Sequence, residues 1–131
     1  VHLARPPAAR TRAWQVPAFD LRFAEAPRRR HCVVIPVVNE GDRLHRLLGR
    51  MQRQSIDDSA DVLVVDGGST DGSVEPHELR PRGVRALLVK RGPGRLGAQL
   101  RCAYAHALQA GYAGIVTIDG NDKDDPDPIP R

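Results

Sequence analysis

The chain is poor in the residues that staple or anchor a protein. Among 131 residues there are two cysteines, Cys32 and Cys102, too few for a disulfide scaffold. They lie far apart, one in a strand pattern and one in a helix pattern. Both read as small buried hydrophobes with free thiols, which points to a reducing compartment. No apolar run approaches the roughly 20 residues of a membrane helix. None near the start matches the apolar core of about 7–15 residues in a secretory signal, so the expectation is cytoplasmic. Aromatic residues are scarce, and three of the five, Trp14, Phe19 and Phe23, fall within the first thirty positions. There is no G-x-S-x-G elbow for a serine hydrolase and no P-loop. His31, His45, His77 and His106 have no metal-ligand spacing and read as surface or packing residues.

A net charge of +4 is unevenly divided. Residues 1–30 hold seven arginines against Asp20 and Glu25, a local charge of +5, and the remainder carries −1. A nucleic-acid binder wears its charge on the folded surface, so the balanced body argues against nucleic acid as a partner. Residues 1–30 also hold four of the eleven prolines and no sustained period. They read as an extended or disordered basic arm. Its aromatics leave open a peripheral membrane contact, a strip packed back on the body, or a weakly ordered tail.

From residue 31 a βα rhythm begins. Three apolar runs break abruptly into carboxylates and small polar residues: Cys32–Glu40, Asp61–Ser73 and Gly114–Asp125. Continuous Val/Ile/Leu runs fit strands buried on both faces of a parallel sheet. Leu44, Leu47, Leu48 and Met51 make one helical stripe, with Asn39 or Gly41–Asp42 as its cap. A second strand spans 61–65, and Ser69 or Asp71 would cap a short helix that Pro76 and Pro81 keep short. Residues 84–89 give a third, outer strand, 97–110 a helix ended by Gly111, and 114–118 a fourth strand. The fold class is three-layer α/β/α with a mostly parallel sheet. Ligands of such sheets bind outside the strand C-termini.

The polar ends carry the candidate chemistry. In Asp66-Gly67-Gly68-Ser69-Thr70-Asp71-Gly72-Ser73, two glycines let the backbone turn tightly against a ligand, and Asp66 at the strand tip can accept from a base or a ribose. A Gly/Ser/Asp turn with a helix cap explains the same residues, as it does Asn39-Glu40. Five aspartates lie between Asp119 and Asp127. Hard divalent cations such as Mg²⁺ and Mn²⁺ want oxygen ligands, and Asp119 with Asn121 or Asp122 could bridge one to a diphosphate; a solvated acidic loop is the alternative. Gly92-Pro93-Gly94-Arg95-Leu96-Gly97 is a literal G-x-G-x-x-G, with Asp119 at a ribose-acid spacing. That NAD-type reading leaves Asn39-Glu40 and the 66–73 turn without a role. Lys90, Arg91 and Arg95 also make the loop more basic than a dinucleotide turn.

The order of motifs, Ile-Pro-Val-Val-Asn-Glu (35–40), Val-Val-Asp-Gly-Gly-Ser-Thr-Asp-Gly (64–72), the Gly-rich turn and Ile-Asp-Gly-Asn (118–121), resembles the inverting glycosyltransferases of family 2. The likeness is to their dolichol-phosphate mannosyltransferase-like branch, which has the GT-A fold. The resemblance implies a UDP- or GDP-sugar donor, a divalent metal (Mg²⁺ or Mn²⁺), inversion at the anomeric carbon and a polyprenyl phosphate acceptor. It places Pro36, Val38, Asn39, Glu40, Asp66, Gly67, Ser69, Asp71 and Gly120 at the donor, and Asp119, Asn121 and Asp122 at the metal. Val38 stands where relatives have Tyr, and Asn121 where they have Asp. Relatives continue well past this element, with an acceptor site and usually the catalytic base beyond it. The resemblance therefore implies a donor-binding half over 31–131, truncated after the D-x-D-like element and inactive by itself, or a non-catalytic nucleotide-binding module.

Overall fold

The computed structural model describes residues 16–119. Five strands, β1 (Phe19–Ala24), β2 (His31–Val37), β3 (Ala60–Asp66), β4 (Val84–Lys90) and β5 (Gly114–Thr117), form one sheet. Its order is β1-β4-β3-β2-β5, antiparallel only at β1–β4 and parallel at the other three pairs. The helices are α1 (Asp42–Arg53), a single turn α2 (Pro76–Leu79) and α3 (Leu96–Ala110).

Strand alternation sorts the core into two layers. Val33, Ile35 and Val37 of β2 and Val62 and Val64 of β3 face α1, whose Leu44, Leu47, Leu48 and Met51 are buried with them. Cys32, Val34, Leu63 and Val65 face the opposite way, against Cys102, Ala103 and Ala107 of α3. Small residues let α3 lie close to the sheet. All seven residues of β3 are buried, which is why it reads as an unbroken apolar run. The arrangement is the α/β/α GT-A, Rossmann-like fold. Both cysteines are buried and free.

Three local expectations need correction. Residues 19–24 are a strand, so the basic arm ends well before residue 30. Of β1 only Phe23 is fully buried, with Phe19 partly buried against the core; the strand alternates apolar and polar in FDLRFA, but over one short segment within a Pro/Arg-rich stretch. It is held instead by its ladder with β4, by Arg91 Nε on Asp20 at 2.7 Å and by the Arg80 guanidinium 4.6 Å above the Phe23 ring. Consequently β4 is an inner strand, flanked by β1 and β3. Ser69 and Asp71 cap no helix: α2 begins at Pro76 after Glu75, without a side-chain cap, whereas α1 has Gly41 at its N-cap, one of the two places expected for it.

At the N-terminal edge of the sheet, buried Asp61 gathers the loops. Its Oδ2 accepts from the Arg28 and Arg29 amides, at 2.8 and 3.3 Å, and from the Tyr112 hydroxyl at 2.7 Å.

Candidate functional site

Winding from β2 through β3 to β4 runs one way across the sheet, and the chain then returns to place β5 on the other side of β2. The β2/β5 boundary is thus the topological switch point, where open α/β sheets open a crevice beyond the strand C-termini. The ladder there is incomplete. β5 pairs with His31 to Val34 only, while β2 continues to Val37. The Ile118 amide donates to Val34 O, and on the other side the Gly67 amide donates to Val37 O. Peptide groups of alternate residues turn to alternate neighbours, so Pro36 turns toward the β5 side, beyond where that strand ends. A proline, which lacks the N–H a ladder needs, is tolerated there at no loss.

The crevice is a cavity of about 430 Å³ lined by Pro36, Val37, Val38, Glu40, Leu96, Gln99, Leu100, Thr117 and Asp119. Its walls differ in chemistry. Val38 and Leu96 are unusually exposed for apolar residues, at 45% and 55%, and offer a flat apolar contact at the mouth. Glu40 and Asp119 supply carboxylates; Glu40 Oε1 lies 3.4 Å from the Arg43 guanidinium. Gln99, at 4% exposure, reaches from α3 and donates through Nε2 to Val37 O (3.0 Å) and Val65 O (3.1 Å). It ties the tips of β2 and β3 together behind the cavity. Sequence reasoning missed it because a lone Gln in a helix of small residues gives no sign that its partners are backbone carbonyls.

The residues singled out from sequence divide into two groups. Pro36, Val38, Glu40 and Asp119 meet in the cavity. Asn39, Asp66, Gly67, Ser69 and Asp71 form an interlocked turn beside it. Asp66, 3% exposed, accepts from the Ser69 amide at 3.0 Å and from its hydroxyl at 2.6 Å. Ser69 Oγ in turn accepts from the Asn39 amide at 2.8 Å. Asn39 holds a left-handed φ of 49°, which Asn tolerates better than most residues, and its Oδ1 accepts from the Thr70 amide at 2.8 Å. Asp71 accepts from the Ser73 hydroxyl (2.6 Å) and amide (3.0 Å). Those bonds, the hydroxyl foremost, hold its carboxyl below the usual range. Gly67 is required by space, since a Cβ there would fall 2.6 Å from Val38 Cγ2 and 3.0 Å from Gln99 Cδ. Gly120, Asn121 and Asp122 lie outside the described residues.

The Gly-rich loop has a different use from a dinucleotide turn. A Cβ on Gly92 would meet Pro17 Cβ at 2.8 Å, and the Arg91 and Gly92 amides both donate to Ala18 O. The Lys90 ammonium donates to Gly92 O at 2.7 Å. Its glycine and amides serve to seat the segment leading into β1.

A divalent cation is compatible in chemistry with the cavity. Mg²⁺ usually takes one or two carboxylates and fills its remaining positions with water and substrate phosphate. Asp119 supplies one hard oxygen donor at the rim, and Asn121 and Asp122 follow it in sequence. Among the described residues no three His, Cys, Asp or Glu side chains cluster.

The glycosyl transferase family 2 model matches residues 32–131. The chain is 31% identical over 90 residues to the glycosyltransferase AglJ of Haloferax volcanii, covering 69% of this chain and 27% of that protein. It is 30% identical over 115 residues to the undecaprenyl-phosphate 4-deoxy-4-formamido-L-arabinose transferase of Salmonella choleraesuis, covering 83% of this chain and 34% of that protein. It thus spans about a third of the length of these curated relatives. No solved structure gives a significant match. A parallel sheet with its cavity at the switch point, the Asn-Glu and Asp-Gly-Gly-Ser turns at two adjacent strand tips and Asp119 at a third agree with that match: the chain belongs to glycosyl transferase family 2.

Proposed function

We propose that this chain is the donor-binding part of a glycosyltransferase that takes a UDP- or GDP-sugar and transfers the sugar, with inversion, to a polyprenyl phosphate. The observation that carries this reading is the convergence of Pro36, Val38, Glu40 and Asp119 on one cavity at the switch point of the sheet. Val38 and Leu96 give an apolar face against which a base or ribose can lie. The interlocked turn of Asn39, Asp66, Ser69 and Asp71 keeps the adjoining rim rigid, so little ordering accompanies binding. Asp119, with Asn121 and Asp122, would hold Mg²⁺ or Mn²⁺ at the diphosphate. When bound, the metal offsets the negative charge that develops on the nucleoside diphosphate leaving group. The name of the Salmonella relative supports a lipid phosphate as acceptor.

A thermal-shift titration of the chain with UDP, GDP and NAD, each with and without Mn²⁺, tests the reading. A ligand at 100 times its dissociation constant adds about 2.7 kcal/mol to the folded state. Stabilisation by UDP or GDP that Mn²⁺ strengthens is the expected result and names the base. Stabilisation by NAD alone overturns it.

A further inference from the structure

The crevice carries a hydroxyl that the metal and base contacts leave without a role. Thr117, the last residue of β5, is exposed and forms part of the cavity wall. Its Oγ1 lies 3.2 Å from the Tyr104 hydroxyl of α3. The other polar side chains of that wall can only accept from a ligand. Glu40 and Asp119 are carboxylates, and both amide hydrogens of Gln99 go to the Val37 and Val65 carbonyls. A hydroxyl both donates and accepts. Among the described lining residues, Thr117 is thus the one side chain able to give a hydrogen bond into the cavity. Its orientation is restricted twice, by the β-branch, which leaves few χ1 choices, and by the bond to Tyr104.

Resting on the donor reading above, we infer that Thr117 reads the ribose hydroxyls of the nucleotide, with Tyr104 as its positioning residue. By donating to Oγ1, Tyr104 leaves the Thr117 hydrogen for the ligand. A vicinal diol has two groups that each donate and accept, which suits a hydroxyl partner set among acceptors. Position favours the ribose over the rest of the ligand. Thr117 and Asp119 are alternate residues that both line the cavity, and the Ile118 amide between them still bonds Val34 O of β2. Their side chains therefore leave the same side of the chain, roughly 7 Å apart. With the diphosphate at Asp119 and the base against Val38 and Leu96, the ribose is the neutral ring that joins them. It lies about one ring short of the Asp119 carboxylate, where the Thr117 hydroxyl stands.

The test is calorimetric titration of the full chain with UDP, GDP and their 2′,3′-dideoxy counterparts. The wild-type chain should bind the ribonucleotide more tightly than its dideoxy form. Thr117→Val keeps the shape and the β-branch and removes the hydroxyl. It should weaken the ribonucleotide about tenfold and leave the dideoxy compound unchanged, whereas Thr117→Ser should keep the preference. Tyr104→Phe should reduce the preference about threefold, and serves if the Val variant melts early. Equal losses for both nucleotides would make the Tyr104–Thr117 bond a strut between α3 and β5 and overturn the inference, as would no loss for either. Failure of the wild-type chain to bind UDP or GDP would instead remove the donor reading, and this inference with it.

Discussion

Gln99 reaches across from α3 to the carbonyl of Val37, 3.0 Å away, at the last residue of β2. Its second donor hydrogen goes to Val65 at the tip of β3, so one amide locks two strands whose ends frame the candidate site. Gln99→Met keeps the volume and removes both donors. The expected loss is about 1–3 kcal/mol of unfolding free energy, read from urea titration, together with weaker nucleotide stabilisation. Gln99→Glu should be worse, because an ionised carboxylate would face two carbonyl oxygens, and its deficit should shrink as pH is lowered toward 4. A Glu variant as stable as wild type at pH 8 would contradict the bonding described.

Gly67 and Val38 should be coupled. A methyl at residue 67 would overlap Val38 Cγ2, so Gly67→Ala should destabilise by about 1–3 kcal/mol. Trimming Val38 to Ala removes the obstacle. The double variant should recover part of the loss, an interaction energy of at least about 0.5 kcal/mol in a double-mutant cycle. Strict additivity would show that the crowding comes from elsewhere, with the Gln99 amide the next neighbour to test.

Stability should fall on the alkaline side. Burial, with the Asp61 carboxylate adding to it, pushes the Cys32 thiol from 9.0 up to about 12. Burial, then the hydrogen bond to Asp61, raises the Tyr112 hydroxyl above its ordinary 10.0. Both groups keep their protons in the folded chain at pH values where the unfolded chain has lost them. The unfolded state then binds fewer protons, and stability declines as pH rises. The contribution is whole below about pH 9 and is lost progressively toward pH 12. Melting temperatures measured from pH 8 to 11 should drop, and Cys32→Ala/Tyr112→Phe should flatten the slope. A slope unchanged in that variant would assign the decline to other groups.

Asp119→Ala separates metal from base contacts. It should remove the increment that Mn²⁺ adds to UDP or GDP stabilisation and leave most of the metal-free effect, as monitored by melting temperature. Loss of both would mean that Asp119 acts on the nucleotide itself.

Much of this was readable in the sequence because the physics was local. Continuous apolar runs marked β2 and β3, since both faces of those strands are covered, and a shorter run marked the half-buried edge strand β5; the Leu44–Met51 stripe marked α1. The β1 strand escaped notice because its one short alternation, Phe19, Leu21 and Phe23, lies among prolines and arginines, and its partner strand lies more than sixty positions downstream. At the site, Asp119 could be singled out because it directly follows the strand predicted at 114–118, and Pro36, Val38 and Glu40 because the order of motifs resembles that of a known family. Gln99 could not, because its role depends on two strand tips that only the folded sheet brings together. The bonds of Asp66 with Ser69 and of Asp71 with Ser73 link neighbours in sequence and fit the turn chemistry read there. The link from Asn39 to Ser69 and Thr70 crosses about thirty positions and was not legible.

The shortness of β5 has a consequence for how such a site can change. The crevice exists because the strand beside β2 stops three residues early, and no side chain hollowed it out. Its location is therefore inherited with the backbone, whereas its lining is open to substitution. Replacing Val38 or Leu96 changes what the crevice prefers without closing it, so preference can drift among related chains while the address stays fixed. Extending β5 by three paired residues would do the reverse and erase the site with the lining untouched.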